Sequence, residues 1–205
     1  MPVATVESLD LEGRGVARHN GKVVFIEWAL AGELVSFEPR KRRPKYDIAT
    51  AQSILRASAL RVEPRCPYFG TCGGCTMQHV EPSAQLAAKQ RALEDSLWHI
   101  ARLRAERILP PISGPAWEYR HRARLSVRYV PKKQGVLIGF HERHSSFVAD
   151  MKSCEVLPGR ISRLLPQLRA LAGALSVRDR LPQIEIAIGA AADVLVLRIV
   201  SAWLA

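Results

Sequence analysis

The sequence predicts a multi-domain protein: a small all-β barrel over residues 1–57, followed by an α+β domain over residues 58–205 with an antiparallel sheet. Three observations support this division. Short strands with turn signals crowd the first part of the chain, as they do in small barrels. A helical repeat and longer alternating strands follow. All four cysteines lie in the second part, where they form a candidate metal site.

The bulk composition indicates a polyanionic partner. The 205-residue chain has 30 Lys and Arg against 19 Asp and Glu, a net charge of +11 and a pI near 10.1. Nucleic acid is the usual partner of such a chain, because each neutralised phosphate releases counterions. The alternative at this level is a protein that is merely basic, and the placement of the charges decides between the two.

The sequence also indicates the compartment. No apolar run approaches the ~18 residues that a membrane span needs. The first residues lack the charged and apolar regions of a signal peptide. We therefore expect a cytoplasmic protein, in which reduced cysteines favour a metal site over disulfides.

Four or five short strands are predicted before residue 57. Asn20-Gly21 is the strongest hairpin signal in the chain, because both residues tolerate positive φ and apolar residues flank them. Residues 34–38 alternate, and residues 46–55 are rich in β-branched and aromatic residues, so both segments read as later strands of the barrel. A barrel of this size leaves loops and one face available to single-stranded nucleic acid.

The densest charge run lies between the last two predicted strands of the barrel. Its five cations are predicted nucleic-acid contacts: Arg40, Lys41, Arg42, Arg43 and Lys45. A charge run of this kind is often only a solvated loop. Its position on a small barrel in a strongly basic chain favours phosphate contact instead.

The cysteine spacing is the most specific signal in the chain. Cys66, Cys72 and Cys75 fall within ten residues, and 78 residues separate the third from Cys154. Structural zinc sites usually take their ligands as two close pairs. Three clustered cysteines and a remote fourth are common for a [4Fe–4S] cluster. The spacing therefore favours an iron–sulfur cluster, with a zinc site and unligated cysteines as alternatives.

The residues beside the cysteines suit a tightly wrapped site and then a helix. Gly73-Gly74 allows the backbone to fold closely and to direct amide N–H groups at sulfur. His79 is interpreted as a neighbour rather than a ligand, because four cysteines complete the set. Ser83 is a candidate N-cap, and apolar residues then recur at helical spacing up to residue 101. We expect an amphipathic helix whose apolar stripe packs into a core.

The most basic strand covers residues 119–129. Its alternation places Arg120, Arg122 and Arg124 on one face and apolar residues on the other. Guanidinium groups suit bidentate phosphate contact and stacking on unpaired bases. The alternative is a row of surface ion pairs, but Glu118 is the one acid close by in the sequence.

The remainder of the second domain is predicted to extend this sheet with four strands, residues 136–141, 146–151, 183–188 and 194–200. The second of these leads to Cys154, and the turn before it carries Arg143, a further predicted nucleic-acid contact. A helix is predicted over residues 157–175, and Pro166 breaks or restarts it. This arrangement would place the basic strands beside the metal site.

These motifs resemble those of the bacterial 23S rRNA (uracil-5-)-methyltransferases, the iron–sulfur enzymes that make 5-methyluridine in RNA. The matching stretches are residues 11–18, 21–26, 66–79, 119–126, 139–142 and 153–154. The first two look like a TRAM domain, an OB-like barrel, and the third looks like the family's cluster motif. The likeness covers nearly the whole chain. It implies that Cys66, Cys72, Cys75 and Cys154 hold a [4Fe–4S] cluster and that the basic residues bind rRNA.

The resemblance further implies a three-part enzyme: a TRAM barrel, a cluster-bearing central domain and a C-terminal domain that binds S-adenosylmethionine. In the family, a cysteine of that last domain attacks C6 of the uracil so that C5 can take the methyl group. Here the cluster pattern uses all four cysteines, and no Gly-rich strand–turn–helix unit for the methyl donor is visible. We therefore expect the RNA-recognising portion of such an enzyme, without catalytic or S-adenosylmethionine-binding residues.

The expected partner is 23S rRNA, held by a monomer in the cytoplasm and away from membranes. We expect the 205 residues alone to be inactive in methyl transfer. The alternative, from a different class, is a free-standing iron–sulfur or zinc RNA-binding protein without methyltransferase activity. We expect the cluster to be structural, because nothing in the sequence requires electron transfer.

Overall fold

The computed structural model describes residues 1–189 and 195–200. The chain forms two compact units. The first, here called the barrel unit, comprises Met1–Pro64 and Thr76–Ser113, and the second, the cysteine unit, comprises Arg65–Cys75 and the residues from Gly114 onward. The segment that carries three of the cysteines thus leaves the barrel unit and the chain then returns to it. The division into functional domains after residue 57 stays a prediction.

Five strands close into a barrel in the first unit: β1 (Val3–Leu9), β2 (Gly15–His19), β3 (Lys22–Glu27), β4 (Leu34–Arg42) and β5 (Tyr46–Arg56). Their order is β1-β2-β3-β5-β4, and β3 and β5 are parallel whereas the other neighbours are antiparallel. The small barrel expected from the sequence is confirmed. Because β4 continues through Arg42, the first three cations of the basic run lie in a strand.

Local patterns account for most of this barrel. β1 buries Ala4 and Val6 and exposes Thr5 between them, and Phe37 is among the residues that fill the same core. Asn20 and Gly21 have φ angles of +50° and +75° and join β2 to β3, as the hairpin signal predicts. Turn chemistry and side-chain alternation act over a few residues, so the sequence alone can indicate them.

A buried ion pair ties the end of the barrel to the segment that follows it. Glu33 is fully buried, and its carboxylate accepts hydrogen bonds from Arg61 at 2.6 and 2.8 Å. Burial raises the pKa of Glu33, but the Arg61 guanidinium and two backbone N–H groups outweigh it and leave that pKa below its usual value. Arg61 also forms an isolated backbone bridge with Val80. The ion pair therefore stabilises the return of the chain to the barrel unit.

Helix α1 (Pro82–His99) differs from the prediction in two respects. Its N-cap is Glu81 rather than Ser83, because the Glu81 carboxylate accepts the backbone N–H groups of Ser83 and Ala84 at 2.7 and 3.2 Å. None of the residues of α1, all of which the structure describes, is buried. The prediction that its apolar stripe packs into a core was therefore wrong, since helical spacing shows amphipathicity but not what covers the stripe.

The cysteine unit contains a four-stranded antiparallel sheet in the order β7-β6-β8-β9. Its strands are β6 (Arg122–Val130), β7 (Gly135–Gly139), β8 (Gln183–Ile188) and β9 (Leu195–Val200). A short 3-10 helix over Pro131–Lys133 joins the first two. Val194, which the sequence placed in the last strand, lies outside the described residues.

The prediction of a strand over residues 146–151 is wrong. This described segment has no regular strand, although Val148 forms an isolated bridge with His141. Val148, Ala149 and Met151 are nevertheless buried. A short apolar run therefore indicated burial here, and not strand pairing.

Two helices complete the cysteine unit: α2 (Gly159–Ser162) and α3 (Leu165–Ala174). Pro166 lies in the first turn of α3, where its missing N–H leaves no helical hydrogen bond unmade, so the predicted restart is present. The core includes Leu125 of β6 and Leu165 of α3. None of the helices in the described part of the chain has the length and apolar composition to cross a membrane.

Candidate metal centre and nucleic-acid interface

All four cysteines belong to the cysteine unit. Cys66, Cys72 and Cys154 are buried, Cys75 is partly exposed, and none of them forms a disulfide. Cys72 and Cys154 belong to the same apolar core, against which Cys75 packs. The fold thus brings the remote Cys154 to the cysteine loop, which we define as residues 66–75.

Close packing at two glycines shapes the cysteine loop. Gly73 N–H donates to the His141 carbonyl oxygen at 2.8 Å, and a Cβ on Gly73 would lie 3.0 Å from that oxygen. A Cβ on Gly74 would lie 3.1 Å from the Phe140 ring. Gly74 N–H donates to Cys72 Sγ at 3.3 Å. The predicted close folding is confirmed at both glycines, whereas an amide directed at sulfur is present at Gly74 and not at Gly73.

Direct contacts also anchor the segment around Cys154. The Cys154 backbone N–H donates to Ser162 Oγ at 2.8 Å. The adjacent Glu155 binds Arg65 Nε at 2.8 Å, and the Arg65 guanidinium lies 5.4 Å over the Trp117 ring. Because Arg65 immediately precedes the cysteine loop, this ion pair links the start of the loop to the Cys154 segment through protein groups alone.

Burial dominates the acidity of the two core thiols. It raises the pKa of Cys72 to about 11, with Gly74 N–H opposing the rise and the other three cysteines adding to it. Burial likewise raises the pKa of Cys154, against the backbone N–H groups of the residues that follow it. Both thiols therefore keep their protons at neutral pH, and metal binding would have to release them.

The donor set fits a thiolate-bound metal group. The four thiols lie close enough for their charges to act on one another, and three of them are buried away from water. Among residues 1–189 and 195–200, however, no group of three or more His, Cys, Asp or Glu side chains is arranged to hold a metal ion. The fit therefore rests on the donor chemistry and the wrapped loop rather than on a preformed coordination geometry.

His79 lies in the barrel unit, outside the cysteine loop. Its side chain is 1% exposed, and its carbonyl oxygen accepts the Val62 N–H at 3.0 Å. This backbone bond belongs to the same short pairing as the bridge between Arg61 and Val80. The interpretation of His79 as a neighbour rather than a ligand stays a prediction.

β6 has the alternation that the sequence predicts. Arg122 and Arg124 are exposed, whereas Ala123 and Leu125 are buried. Arg120 lies just before the strand, and its guanidinium stacks 4.7 Å over the Phe140 ring. One face of this segment therefore packs into the core, and the other presents guanidinium groups.

A cavity of about 610 Å³ lies beside these arginines. Arg120, Arg122 and Arg124 line it together with Phe140 and Glu185. Each of these residues belongs to the cysteine unit. The predicted row of arginines is thus part of a concave surface and not a flat sheet face.

Glu185 of β8 is the cavity residue that the sequence analysis missed. It lies opposite Arg124 in the pairing of β6 with β8, and Arg124 Nε is 3.4 Å from Glu185 Oε1. Glu118, the acid considered from the sequence, instead accepts the Gly159 N–H at 2.9 Å. Alternation over residues 183–188 places Glu185 on a polar face, but no local signal shows which strand lies beside it.

The other predicted nucleic-acid contacts lie in both units. The five cations Arg40, Lys41, Arg42, Arg43 and Lys45 are exposed in the barrel unit. The Arg40 guanidinium lies 3.6 Å from the buried Glu27 carboxylate. In the cysteine unit, Arg143 is partly buried and donates to the Cys75 carbonyl oxygen at 3.4 Å. Arg143 therefore contacts the cysteine loop directly.

Curated proteins match the chain over almost its whole length. A 23S rRNA (uracil(1939)-C(5))-methyltransferase RlmD of Bordetella parapertussis is 61% identical over 196 residues, which are 96% of this chain and 42% of the relative. The protein of the same name from Aromatoleum aromaticum is 62% identical over 198 residues, 97% of this chain and 46% of the relative. That of Burkholderia cenocepacia is 56% identical over 204 residues, with 97% and 44% covered. The chain thus spans less than half the length of these relatives.

A solved structure supports the fold. The Pyrococcus abyssi tRNA (uracil-54, C5)-methyltransferase in complex with S-adenosyl-L-homocysteine aligns with a TM-score of 0.68 over 97% of this chain and 46% of that one. At 22% identity, this likeness shows a shared fold. No family model matches the chain. The identity to the curated relatives shows that the chain is homologous to the N-terminal part of the 23S rRNA (uracil-5-)-methyltransferases, the family that its motifs resemble.

Proposed function

We propose that this chain is the RNA-recognising portion of an S-adenosylmethionine-dependent 23S rRNA uracil-5-methyltransferase. The observation that carries the proposal is its 61% identity, over 96% of its length, to a curated enzyme of that name. The charge of +11 and the exposed arginines of β6 supply the means to hold a polyanion. Its partner is then 23S rRNA, which it binds as a monomer in the cytoplasm.

The barrel unit acts in this proposal as a TRAM-like RNA-binding domain. The five exposed cations between Arg40 and Lys45 surround the connection from β4 to β5. Exposed cations suit phosphate oxygens, and such contacts position RNA without reading its sequence. The barrel unit therefore contributes affinity that depends on salt and little on sequence.

The cysteine unit supplies a second and more structured RNA contact. Arg122 and Arg124 are exposed residues of β6, and Phe140 holds the guanidinium of Arg120 by stacking. Arg120, which is held in this way, loses less conformational freedom on binding than a free surface lysine does. We assign the more specific part of rRNA recognition to this surface.

Cys66, Cys72, Cys75 and Cys154 are the proposed ligands of a [4Fe–4S] cluster. When bound, the cluster would supply four iron–thiolate bonds that join the cysteine loop to the Cys154 segment.

The protein groups around these ligands extend the effect to the arginines. The Gly74 N–H donates to Cys72 Sγ, and Phe140 packs against Gly74 while it holds Arg120 on its ring. An ordered cysteine loop therefore also orders Arg120, and the role of the site is structural.

Methyl transfer is not assigned to these 205 residues. The family resemblance implies that a cysteine adds to C6 of uracil, which makes C5 nucleophilic. With all four cysteines of the chain as cluster ligands, no thiol is left for that step. We expect no 5-methyluridine when this chain alone is incubated with rRNA and S-adenosylmethionine, and turnover by the chain would contradict this assignment.

RNA binding by the anaerobically purified chain tests the proposal. Fluorescence anisotropy should show binding to a 23S rRNA fragment that spans the uridine named in the relatives. The affinity should fall with salt, with a log–log slope of about −0.7 to −0.9 for each phosphate contacted. Absence of binding at low salt, where electrostatic contacts are strongest, would overturn the proposal.

A further inference from the structure

The cavity beside β6 contains a carboxylate among its guanidinium groups. Arg120, Arg122 and Arg124 line it, and so does Glu185. A site made only for phosphate would exclude a carboxylate, because it repels the anion at close range. Glu185 adds a hydrogen-bond acceptor to the cavity, so the cavity can take a group with N–H donors in addition to phosphate.

The Glu185 carboxylate is held in place and keeps acceptor capacity. Its side chain is 30% exposed, and Gln183 Nε2 donates to Oε1 at 2.9 Å. The Arg124 contact at 3.4 Å goes to the same oxygen. A carboxylate has about four lone-pair positions over two oxygens, so a ligand with two parallel N–H donors can bind it in a bidentate manner.

Among the four RNA bases, guanine meets this requirement. Its N1–H and N2–H donors lie side by side on one edge. Adenine and cytosine each place a ring acceptor beside the amino group, and uracil flanks its one N–H with two carbonyl oxygens; these acceptors would repel a carboxylate. Unpaired bases in RNA loops are commonly read along this edge.

We propose that this cavity binds one unpaired guanine of the RNA, with N1–H and N2–H donated to Glu185 and adjacent phosphates on Arg122 and Arg124. The inference rests on the proposed function and adds the identity of a base to it. The Arg120 guanidinium, which Phe140 holds, provides a planar group for the base to stack on. The volume of about 610 Å³ lies within the range of sites that enclose small ligands.

The alternative is that Glu185 only pairs across the sheet. Arg124 lies opposite it on β6, and Arg198 is its register partner on β9. In that case, Glu185→Gln would change the stability of the sheet but would not change which bases the protein prefers. Base substitution in the RNA separates the two roles, because it leaves the protein untouched.

The test uses the whole 205-residue chain and a 23S rRNA fragment in which each unpaired guanine is replaced in turn. Inosine lacks the N2 amino group, and 7-deazaguanine lacks N7 but keeps the edge that Glu185 would contact. We expect one position at which inosine lowers affinity about 10-fold while 7-deazaguanine has no effect. Glu185→Gln should abolish the difference between guanine and inosine at that position. Asp179→Asn, which removes an exposed acid of the same unit, should retain it.

Two results would overturn the inference, and they are distinguishable. If the RNA binds but every guanine tolerates inosine, or if Glu185→Gln keeps the discrimination, the guanine site is wrong while the proposed function stands. If the RNA does not bind at all, the proposed function falls and the inference falls with it. Should Glu185→Gln fold poorly by circular dichroism, the inosine series with the unaltered protein still decides the question.

Discussion

The barrel unit and the cysteine unit hold their key segments in different ways. The barrel is closed by strand pairing around an apolar core, and a buried ion pair between Glu33 and Arg61 secures its end. The cysteine loop has little regular structure and depends on single hydrogen bonds and on close contacts at Gly73 and Gly74. Its Cys72 thiol stays protonated at neutral pH unless a metal binds, because burial raises its pKa.

This difference indicates where each unit is vulnerable. Strand pairing and apolar burial are present as soon as the barrel folds, so its stability needs no additional group. The cysteine loop encloses buried thiols and polar backbone that contribute little by themselves, and metal binding would supply a large part of its folding free energy. Changes at the thiols should therefore affect the second unit selectively.

The largest effect is expected from removal of a ligand. Unaltered protein should be brown and carry about four irons per chain, and Cys72→Ser should lose most of that iron. Structural metal sites contribute on the order of 10 kcal/mol to folding. We therefore expect hydrogen exchange in residues 66–75 of the variant to accelerate by at least about tenfold, while β3 and β5 exchange as before.

Thr71→Ser provides the matched control, because Thr71 is an exposed residue of the same loop and is not a proposed ligand. It should keep both its iron and its slow exchange. A colourless unaltered protein with one zinc would show that the site is not an iron–sulfur cluster. Equal acceleration in the barrel strands would show that the two units do not differ in the way described.

The second effect concerns the barrel. Glu33→Ala would leave the Arg61 guanidinium without its buried carboxylate partner and two backbone N–H groups without an acceptor. We expect a loss of about 2–3 kcal/mol, below the value for a fully buried pair because Arg61 is partly exposed. The unfolding midpoint of the barrel should fall by roughly 9–14 °C, with iron content unchanged. Glu38→Ala, at an exposed position of β4, should have little effect.

The same ion pair gives a pH dependence with a definite sign. The pKa of Glu33 in the folded protein lies below its usual value, so unfolding makes this carboxyl easier to protonate. Its contribution is therefore complete above the unfolded pKa of about 4.3 and is lost as the pH falls through the lower folded pKa. The difference in midpoint between the unaltered protein and Glu33→Gln should be constant near neutral pH and shrink in acid. A difference that grows in acid would contradict this sign.

The barrel could be inferred from the sequence to a greater extent than the cavity. The turn at Asn20-Gly21 and the alternation in β1 report on neighbours a few residues away. The cavity depends on β8 pairing with β6, which brings Glu185 from 61 positions further along the chain to Arg124. Periodicity shows which face of a strand is polar and cannot show which strand lies beside it.

The cysteine loop could be inferred from the sequence to a smaller extent than the barrel and to a greater extent than the cavity. Spacing identified Cys66, Cys72 and Cys75 as a group and related Cys154 to them, and the fold places all four in one unit. Spacing did not show that the segment before Cys154 lacks a regular strand. In this segment the apolar residues indicated burial correctly but not the path of the backbone.

The third effect tests the structured RNA contact of the cysteine unit. Arg122→Ala with Arg124→Ala should reduce affinity for the rRNA fragment about tenfold and lower the salt slope by up to about 0.7–0.9 for each phosphate that is no longer neutralised. Part of the reduction should persist at high salt, because guanidinium groups also stack on bases and form bidentate bonds with phosphate. Unchanged binding, with the fold intact by circular dichroism, would assign this surface another role.

The smallest loss of RNA affinity is expected from substitution of the barrel cations. Unlike the loss expected at Arg122 and Arg124, it should depend entirely on salt. Lys41 and Arg43 are exposed residues, at the end of β4 and just beyond it, so their phosphate contacts are solvated. Lys41→Ala with Arg43→Ala should weaken binding about threefold at moderate salt, equally for all RNA sequences, and the effect should vanish at high salt. Lys89→Ala with Arg91→Ala removes two exposed cations of α1 and is the charge-matched control. If that control weakens binding as much, net charge alone attracts RNA to the barrel unit. An effect of the Lys41 and Arg43 substitutions that persists at high salt would instead mean that the basic run forms a specific contact, as we propose for the arginines of β6.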